Sequence, residues 1–312
     1  MNKGIVIKST GSWYTVRSDS GETVECKLKG KFKIKGIKNT NPIAVGDVVD
    51  FIITEDVGLI TKIYERRNYI IRKSVNLSKQ QHIIASNIDQ AVLIASLIEP
   101  RTTTGFIDRF LITAEAYSIP AILVFNKTDI YSKNQLDELE QLTNIYSSAG
   151  YETLHVSAKT GLNLSTLKSI LKGKKSLFSG NSGVGKSALV NAMDPSKNLK
   201  IGQVSHYHRK GKHTTTYATM HELNFGAYII DTPGIKEFGL IDFHRHELSH
   251  YFPEMRAYLG KCKFNDCTHE SEPGCVVREA VKNGDISQQR YDSYLRILHD
   301  DELLRWEGQF KG

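Results

Sequence analysis

The chain is 312 residues long, 40% hydrophobic and 24% charged, with 41 lysines and arginines against 34 aspartates and glutamates and a formal net charge of +7. That length predicts two or three domains, and no apolar run approaches the roughly 18–20 residues of a membrane span. A charge excess of this size points only weakly to a polyanionic partner, because a solvated basic surface gives the same total.

The opening "MNKGIVIKSTGSWY" has no apolar core ahead of a small-residue cleavage site, so no secretory leader is expected. Cys26 stands alone, whereas Cys262, Cys267 and Cys275 are close together, which suits a metal site better than a disulfide framework. These features predict a cytoplasmic protein with no membrane partner.

Residues 1–73 alternate short apolar segments with turn signals: "GIVIKS", "WYTVRS", "TVECKLKG", "VGDVVDFII" and "GLITKIYERRN". Period-two patterning broken by Gly and Asp-Ser-Gly predicts about five strands and a small all-β barrel. Within "ECKLKGKFKIKG", Lys27, Lys29, Lys31, Lys33 and Lys35 occupy alternate positions, with Cys26, Leu28, Phe32 and Ile34 among the residues between them. Successive side chains of a strand face opposite ways, so five ammonium groups would share one face. An edge strand guarded by lysines is the plain reading. Five in register exceed that need and point to an OB-like surface that tracks a nucleic-acid backbone.

Residues 76–240 change period. The strand patterns "IDQAVLIASL", "AILVFNKTDI" and "ETLHVSAKTG" alternate with the helix patterns "IDRFLITAEAYS" and "LDELEQLTNIYSSAG"; "LNLSTLKSILKG", "KSLFSGNSGVGKSALVNAM" and "AYIIDTPG" continue the series. Such alternation predicts an α/β domain on a mostly parallel sheet.

Its motifs carry phosphate and purine chemistry. Gly180-Asn181-Ser182-Gly183-Val184-Gly185-Lys186-Ser187 matches G-x-x-x-x-G-K-[ST], follows the strand "KSLFS" and opens a helix through Ala188. Glycines let backbone N–H groups turn inward around phosphates, and the helix N-terminus adds its positive end. Lys186 is expected at the β- and γ-phosphates and the Ser187 hydroxyl on Mg²⁺. In "YIIDTPG", Asp231 is expected to hold Mg²⁺ through water and Gly234 to offer its N–H to the γ-phosphate.

Asn126-Lys127-Thr128-Asp129 ends an apolar strand. A fixed Asp129 carboxylate accepts from guanine N1–H and its exocyclic amine, and adenine has no matching pair. Asn126 is expected to tie this loop to the phosphate loop, with Lys127 along the base. Ser157, Ala158 and Lys159 of "VSAKTG" would follow, the Ala158 N–H facing guanine O6. The conjunction predicts binding of GTP and GDP rather than ATP.

Between the phosphate loop and Asp231 lies "VSHYHRKGKHTTTYATM", basic and aperiodic, as a loop ordered by a γ-phosphate would be. Its three consecutive threonines are candidates to complete the Mg²⁺ shell, a threonine-rich surface loop being the alternative, and resemblance to the threonine switch of other GTPases implies Thr215. Ile235 stands where Ras-like proteins carry a water-orienting glutamine, which predicts slow intrinsic turnover. His213 is the candidate substitute, an exposed or phosphate-neighbouring histidine being the alternative.

The motif order is therefore guanine loop, Ser-Ala-Lys, phosphate loop, threonine segment and DTPG, with the phosphate loop late. A sheet is held by lateral bonds rather than chain order, so the expectation is a circularly permuted P-loop G domain.

Residues 241–312 open on a histidine-rich segment and then place Cys262, Cys267, His269 and Cys275 as C-x4-C-x-H-x5-C. Three thiolates and an imidazole suit a closed, structural zinc site, followed by the helical pattern "SQQRYDSYLRILHDDELLRWEGQF".

The lysine-rich barrel, permuted motifs, "HTTT", "DTPG" with "EFGL", and the cysteine spacing together resemble the RsgA family, the small-ribosomal-subunit-dependent GTPases of bacteria, over essentially the whole chain. The resemblance implies an OB fold, a permuted G domain, and a zinc domain with C-terminal helices. It further implies binding to the 30S subunit and its 16S rRNA late in maturation, with subunit-stimulated GTP hydrolysis leading to release; a monomer is expected. Two alternatives share part of the motif set: a non-hydrolysing, GTP-dependent RNA-binding protein and a P-loop kinase.

Overall fold

Among the described residues, the alternation of the first 63 positions folds into five strands: β1 (Asn2–Ser9), β2 (Tyr14–Ser18), β3 (Thr23–Leu28), β4 (Val48–Thr54) and β5 (Val57–Ile63). The structure, a computed structural model, describes residues 2–28, 42–54, 57–73, 81–199, 218–231 and 245–300. β1 pairs antiparallel with both β2 and β4, β2 with β3 and β4 with β5, and a parallel β3–β5 pairing closes the barrel. Closure removes exposed strand edges. Its interior is Val6, Tyr14, Val16, Cys26, Ile43, Val49, Phe51 and Ile60. A Cβ on Gly58 would lie 2.2 Å from Cys26 Sγ, so the closing contact depends on a residue without one.

β3 bears on the lysine pattern over its own length. Cys26 is buried and Lys27 exposed, as alternation requires, while Lys29, Lys31, Lys33 and Lys35 lie outside the described residues. Lys27 Nζ stands 4.1 Å from the Trp13 ring centroid.

A two-stranded sheet follows, β6 (Tyr69–Lys73) against β7 (Gln81–Ser86). No strand pair is predicted there from sequence, because each apolar run is too short to show a period. Asp47, fully buried beside β4, accepts from Arg66 Nε and Nη2 at 2.6 Å each and from Ser86 Oγ at 2.6 Å, fastening barrel, linker and β7 together.

The α/β unit contains β8 (Gln90–Ala95), α1 (Thr104–Ala116), β9 (Ala121–Phe125), α2 (Lys133–Ser148), β10 (Glu152–His155), α3 (Leu164–Leu171), β11 (Lys175–Ser179), α4 (Lys186–Met193), β12 (Thr219–Glu222) and β13 (Tyr228–Asp231). The strand order is β10-β9-β8-β11-β13-β12, and the pairings are parallel except that of β12 with β13. Every residue of β8 and β9 is buried, as expected of central parallel strands covered on both faces. Residues of α1 and α2 share a core with one face, and residues of α3 and α4 with the other. Ser132 and Gln135 form a reciprocal capping box at the start of α2.

The barrel continues this sheet. β1 pairs antiparallel with β12 through Lys8 and Thr219, and Arg17 of β2 forms an ion pair with Glu222 of β12.

The last unit comprises a 3-10 turn (Arg245–Tyr251), α5 (Pro253–Arg256), α6 (Val276–Lys282) and α7 (Gln288–Leu298). Leu248, Phe252, Met255, Cys267, Cys275, Tyr294 and neighbours form its core, which takes in Ile112 of α1. The predicted terminal helix ends at Leu298, where His299 caps it, and residues 301–312 of that stretch lie outside the described residues. Among the described residues no helix is long and apolar enough to cross a membrane.

Candidate nucleotide site and metal centre

The central strand β11 ends at Ser179 and runs through Gly180–Gly185 into α4, with β8 on one side and β13 on the other. Gly180 and Gly185 have φ of 140° and 102°. A Cβ on Gly180 would lie 2.2 Å from Ile94 O, and one on Gly185 2.3 Å from Asn126 Nδ2. Only glycine permits both the backbone turn and those approaches. Lys186 Nζ reaches back over the loop to donate to Gly180 O at 2.6 Å and Asn181 O at 2.9 Å. Ser187 is buried in the first turn of α4.

β9 delivers the second loop to the same end of the sheet. Asn126, 1% exposed, donates from Nδ2 to Val184 O at 3.0 Å and accepts the Ala158 N–H on Oδ1 at 3.1 Å. One side-chain amide thus joins three loops, those around Asn126, Gly180 and Ser157. The Ala158 N–H is committed to this brace, so a base oxygen there would share it in a three-centre bond. Ser157 Oγ donates to Asp129 Oδ1 at 2.6 Å and accepts from Thr160 N at 3.1 Å, which orients an otherwise exposed carboxylate. Thr128 Oγ1 bonds Val156 O at 3.1 Å. Lys127 adopts φ 66° and donates through Nζ to Glu99 O, and Lys159 is exposed on the turn beyond Ala158.

A fourth loop, between β8 and α1, has no sequence motif. Ser96 and Thr102 close it with bonds of 2.7 Å (Thr102 N to Ser96 O) and 3.1 Å (Ser96 N to Thr102 Oγ1). Tyr131 Oη is attached to it and to Asn126 O. Sequence reading missed these residues because ordinary Ser, Thr and Tyr carry no spacing signal.

β13 ends at Asp231, and its pairing sets Ile230 against Leu177 of β11, which brings that strand end beside the phosphate loop. The Asp231 side chain, Gly234, Thr215 and His213 lie outside the described residues.

The cysteine module gathers four donors within 4.8 Å of one another: Cys262, Cys267, His269 and Cys275. Cys262 Sγ is 3.9 Å from Cys275 Sγ, and His269 Nδ1 lies 3.5 and 3.4 Å from those sulfurs. A tetrahedron of Zn–S bonds of about 2.3 Å has edges near ~3.8 Å, so the donor set fits a zinc ion. Burial holds His269 below its ordinary pKa, favouring the neutral ring a metal requires. Burial also pushes the Cys267 thiol up to about 12, a cost that a cation offsets by displacing the proton. Tyr291 Oη and Tyr294 Oη brace the loop through His269 O and Thr268 O at 2.7 and 2.6 Å.

A phosphate-type glycine loop, an Asn-Lys-x-Asp loop and a Ser-Ala-Lys loop meeting at one sheet end, with the phosphate strand late in the chain, define a circularly permuted P-loop GTPase fold. The chain's matches agree with that class: its residues 63–241 match the RsgA GTPase profile and residues 3–60 the RsgA N-terminal domain. The chain belongs to the RsgA GTPase family. It is 55% identical over 307 residues to the small ribosomal subunit biogenesis GTPase RsgA of Flavobacterium psychrophilum, covering 97% of this chain and 94% of that one. Against small ribosomal subunit biogenesis GTPase RsgA 2 of Bacteroides thetaiotaomicron it is 51% identical, with 99% of each covered. Among solved structures it resembles YjeQ from Thermotoga maritima, with a TM-score of 0.79, 37% identity and 97% and 98% of the two chains covered. It also resembles YloQ, described as a circularly permuted GTPase, with a TM-score of 0.73, 29% identity and coverage of 95% and 93%.

Proposed function

We propose that this chain hydrolyses GTP to GDP and phosphate on the small ribosomal subunit, that it assists the subunit's late maturation, and that the subunit stimulates turnover. Family membership supports the reading, and its single strongest support is Asn126, bonded at once to Val184 of the phosphate loop and Ala158 of the third loop. That arrangement holds base-reading and phosphate-reading groups in one rigid frame, so that triphosphate and guanine are gripped together.

In this reading Asp129 and Ser157 read the base edge, Lys127, Thr128 and Lys159 flank it, and Ala158 N–H shares its proton with the base oxygen. Residues 180–188 surround the phosphates, and Lys186 stabilises charge as it develops on the transferred group. Ser187, Thr215 and Asp231 hold Mg²⁺, which supplies neutralising charge at the phosphates; the buried Ser187 hydroxyl at the head of α4 fits that use. His213 takes the water-positioning role left open at Ile235. Cys262, Cys267, His269 and Cys275 hold one structural zinc ion.

We assign residues 1–73 to the barrel, 76–240 to the G domain and 241–312 to the zinc and helical domain. Lys27, Lys29, Lys31, Lys33 and Lys35 face 16S rRNA, and the protein acts as a cytoplasmic monomer. The deciding measurement is GTP turnover by the purified protein alone and with isolated 30S, 50S and 70S particles. Stimulation confined to particles that contain the small subunit supports the proposal; equal rates throughout reject it.

A further inference from the structure

The loop that reads the base is held from behind by a residue with no motif of its own. Tyr131 is buried, and its hydroxyl sits between two segments. It donates to Asn126 O at 2.8 Å, accepts the Leu97 N–H at 2.8 Å and lies 3.0 Å from Ser96 Oγ. Asn126 is the residue that carries the bonds to Val184 and Ala158. The Ser96–Thr102 loop on the other side closes on itself and gives Glu99 O to Lys127 Nζ. Among the described residues, Asp129, two residues before Tyr131, has its carboxylate oriented by Ser157 Oγ alone. The backbone that leads to Asp129 is thus tied to the phosphate loop through Asn126 and to the loop after β8 through Tyr131, while Ser157 aims the carboxylate itself.

We propose that Tyr131 is a positioning residue for purine selection: its hydroxyl ties the base-reading loop to the loop after β8 and so sets where the Asp129 carboxylate meets guanine. This rests on the guanine-nucleotide reading of the site. It makes guanine preference, rather than phosphate affinity, the quantity that depends on one phenol oxygen. Removing that oxygen leaves Leu97 N–H without its acceptor and frees Asn126 O, and the loop relaxes.

The test is competition of GDP, ADP and XDP against a fluorescent guanine nucleotide in the full-length protein, its Tyr131→Phe and Tyr151→Phe variants, and Asp129→Asn. Tyr151 is the control because its buried hydroxyl has no partner among the described residues. Tyr131→Phe should weaken GDP about tenfold while leaving ADP unchanged, so that the GDP-to-ADP ratio falls by that factor; Tyr151→Phe should leave the ratio alone. A Tyr131→Phe protein that melts earlier but keeps the ratio overturns the proposal, since a purely structural role predicts that result. Asp129→Asn separates the two readings. If it fails to move preference from guanine toward xanthine, and the unaltered protein does not discriminate, the site reading itself is gone. Should Tyr131→Phe not fold, amide exchange of the unaltered chain decides. Leu97 N–H slowed further by GDP but not by pyrophosphate supports the proposal; a Leu97 amide exchanging at solvent rate, or slowed equally by both, overturns it.

Discussion

Arg290 of α7 holds its guanidinium 2.5 Å from the Asp108 carboxylate of α1, with each side chain only 1% exposed. The same guanidinium reaches Glu254 Oε1 at 2.7 Å and lies over the Phe252 ring at 4.7 Å. Ser293 and Tyr146 also donate to Asp108, so α7 is joined to the α/β unit through a buried, hydrogen-bonded charge cluster. Removing one partner of such a cluster costs far more than the intact cluster contributes. Arg290→Met should lower unfolding stability by about 3–5 kcal/mol, leaving two carboxylates buried without their cation. Arg290→Lys should recover only part of this, because one ammonium cannot reproduce the guanidinium fork. Urea unfolding of both variants checks the ranking, and equal stability of the Met variant and the parent would exclude a tight junction.

Lys186 is the one cation bonded across the mouth of the glycine loop in the described site. Lys186→Ala should reduce GTP turnover by about a hundredfold or more and weaken nucleotide binding. Single-turnover hydrolysis in the presence of small subunits measures this, and unchanged turnover would remove the loop from the reaction.

The lysine run of the barrel can be read through salt. Each phosphate contact contributes a slope of about −0.7 to −0.9 to the dependence of log affinity on log salt. Replacing Lys29, Lys31 and Lys33 with glutamine should weaken subunit binding and flatten that slope by about 2–3. A parallel shift with unchanged slope would mean that those ammonium groups do not meet phosphates.

The cysteine module should bind one zinc ion per chain, measured by elemental analysis. Stripping the metal, or Cys267→Ser, should melt the core that contains Leu248, Phe252 and Tyr294, seen as lost near-ultraviolet circular dichroism, while GDP binding remains. A metal-free protein with an unaltered spectrum would make the cluster four ordinary side chains with no metal to hold.

Local pattern was enough to read the barrel, the alternating α/β unit, the glycine loop and the cysteine spacing. Each is a short-range signal: a period of two, a strand followed at once by Gly-x-x-x-x-Gly-Lys-Ser, four donors within one loop. What sequence left dark is long-range pairing. Arg290 and Asp108 are 182 positions apart, and nothing in either neighbourhood names the other. Tyr131 escaped notice for the same reason, since its partners at 96 and 97 follow a different strand. The β6–β7 pair was missed because "YIIRK" and "HIIAS" are too short to show a period, and the register of β1 with β12 depends on a neighbour supplied only by the tertiary fold. Asp129 is marked by its motif, whereas the Ser157 bond that aims it carries no local signal.

The β1–β12 pairing also bears on how the chain is made. An outermost strand with unmet backbone groups invites other chains to add themselves to it. Here the strand that pairs with that flank, at Lys8 and Thr219, lies some two hundred residues earlier in the chain and so is made before the strand it shields. The cap is waiting when β12 emerges during synthesis. A version of this protein begun after residue 63 should therefore precipitate or self-associate, whatever its capacity to hold a nucleotide.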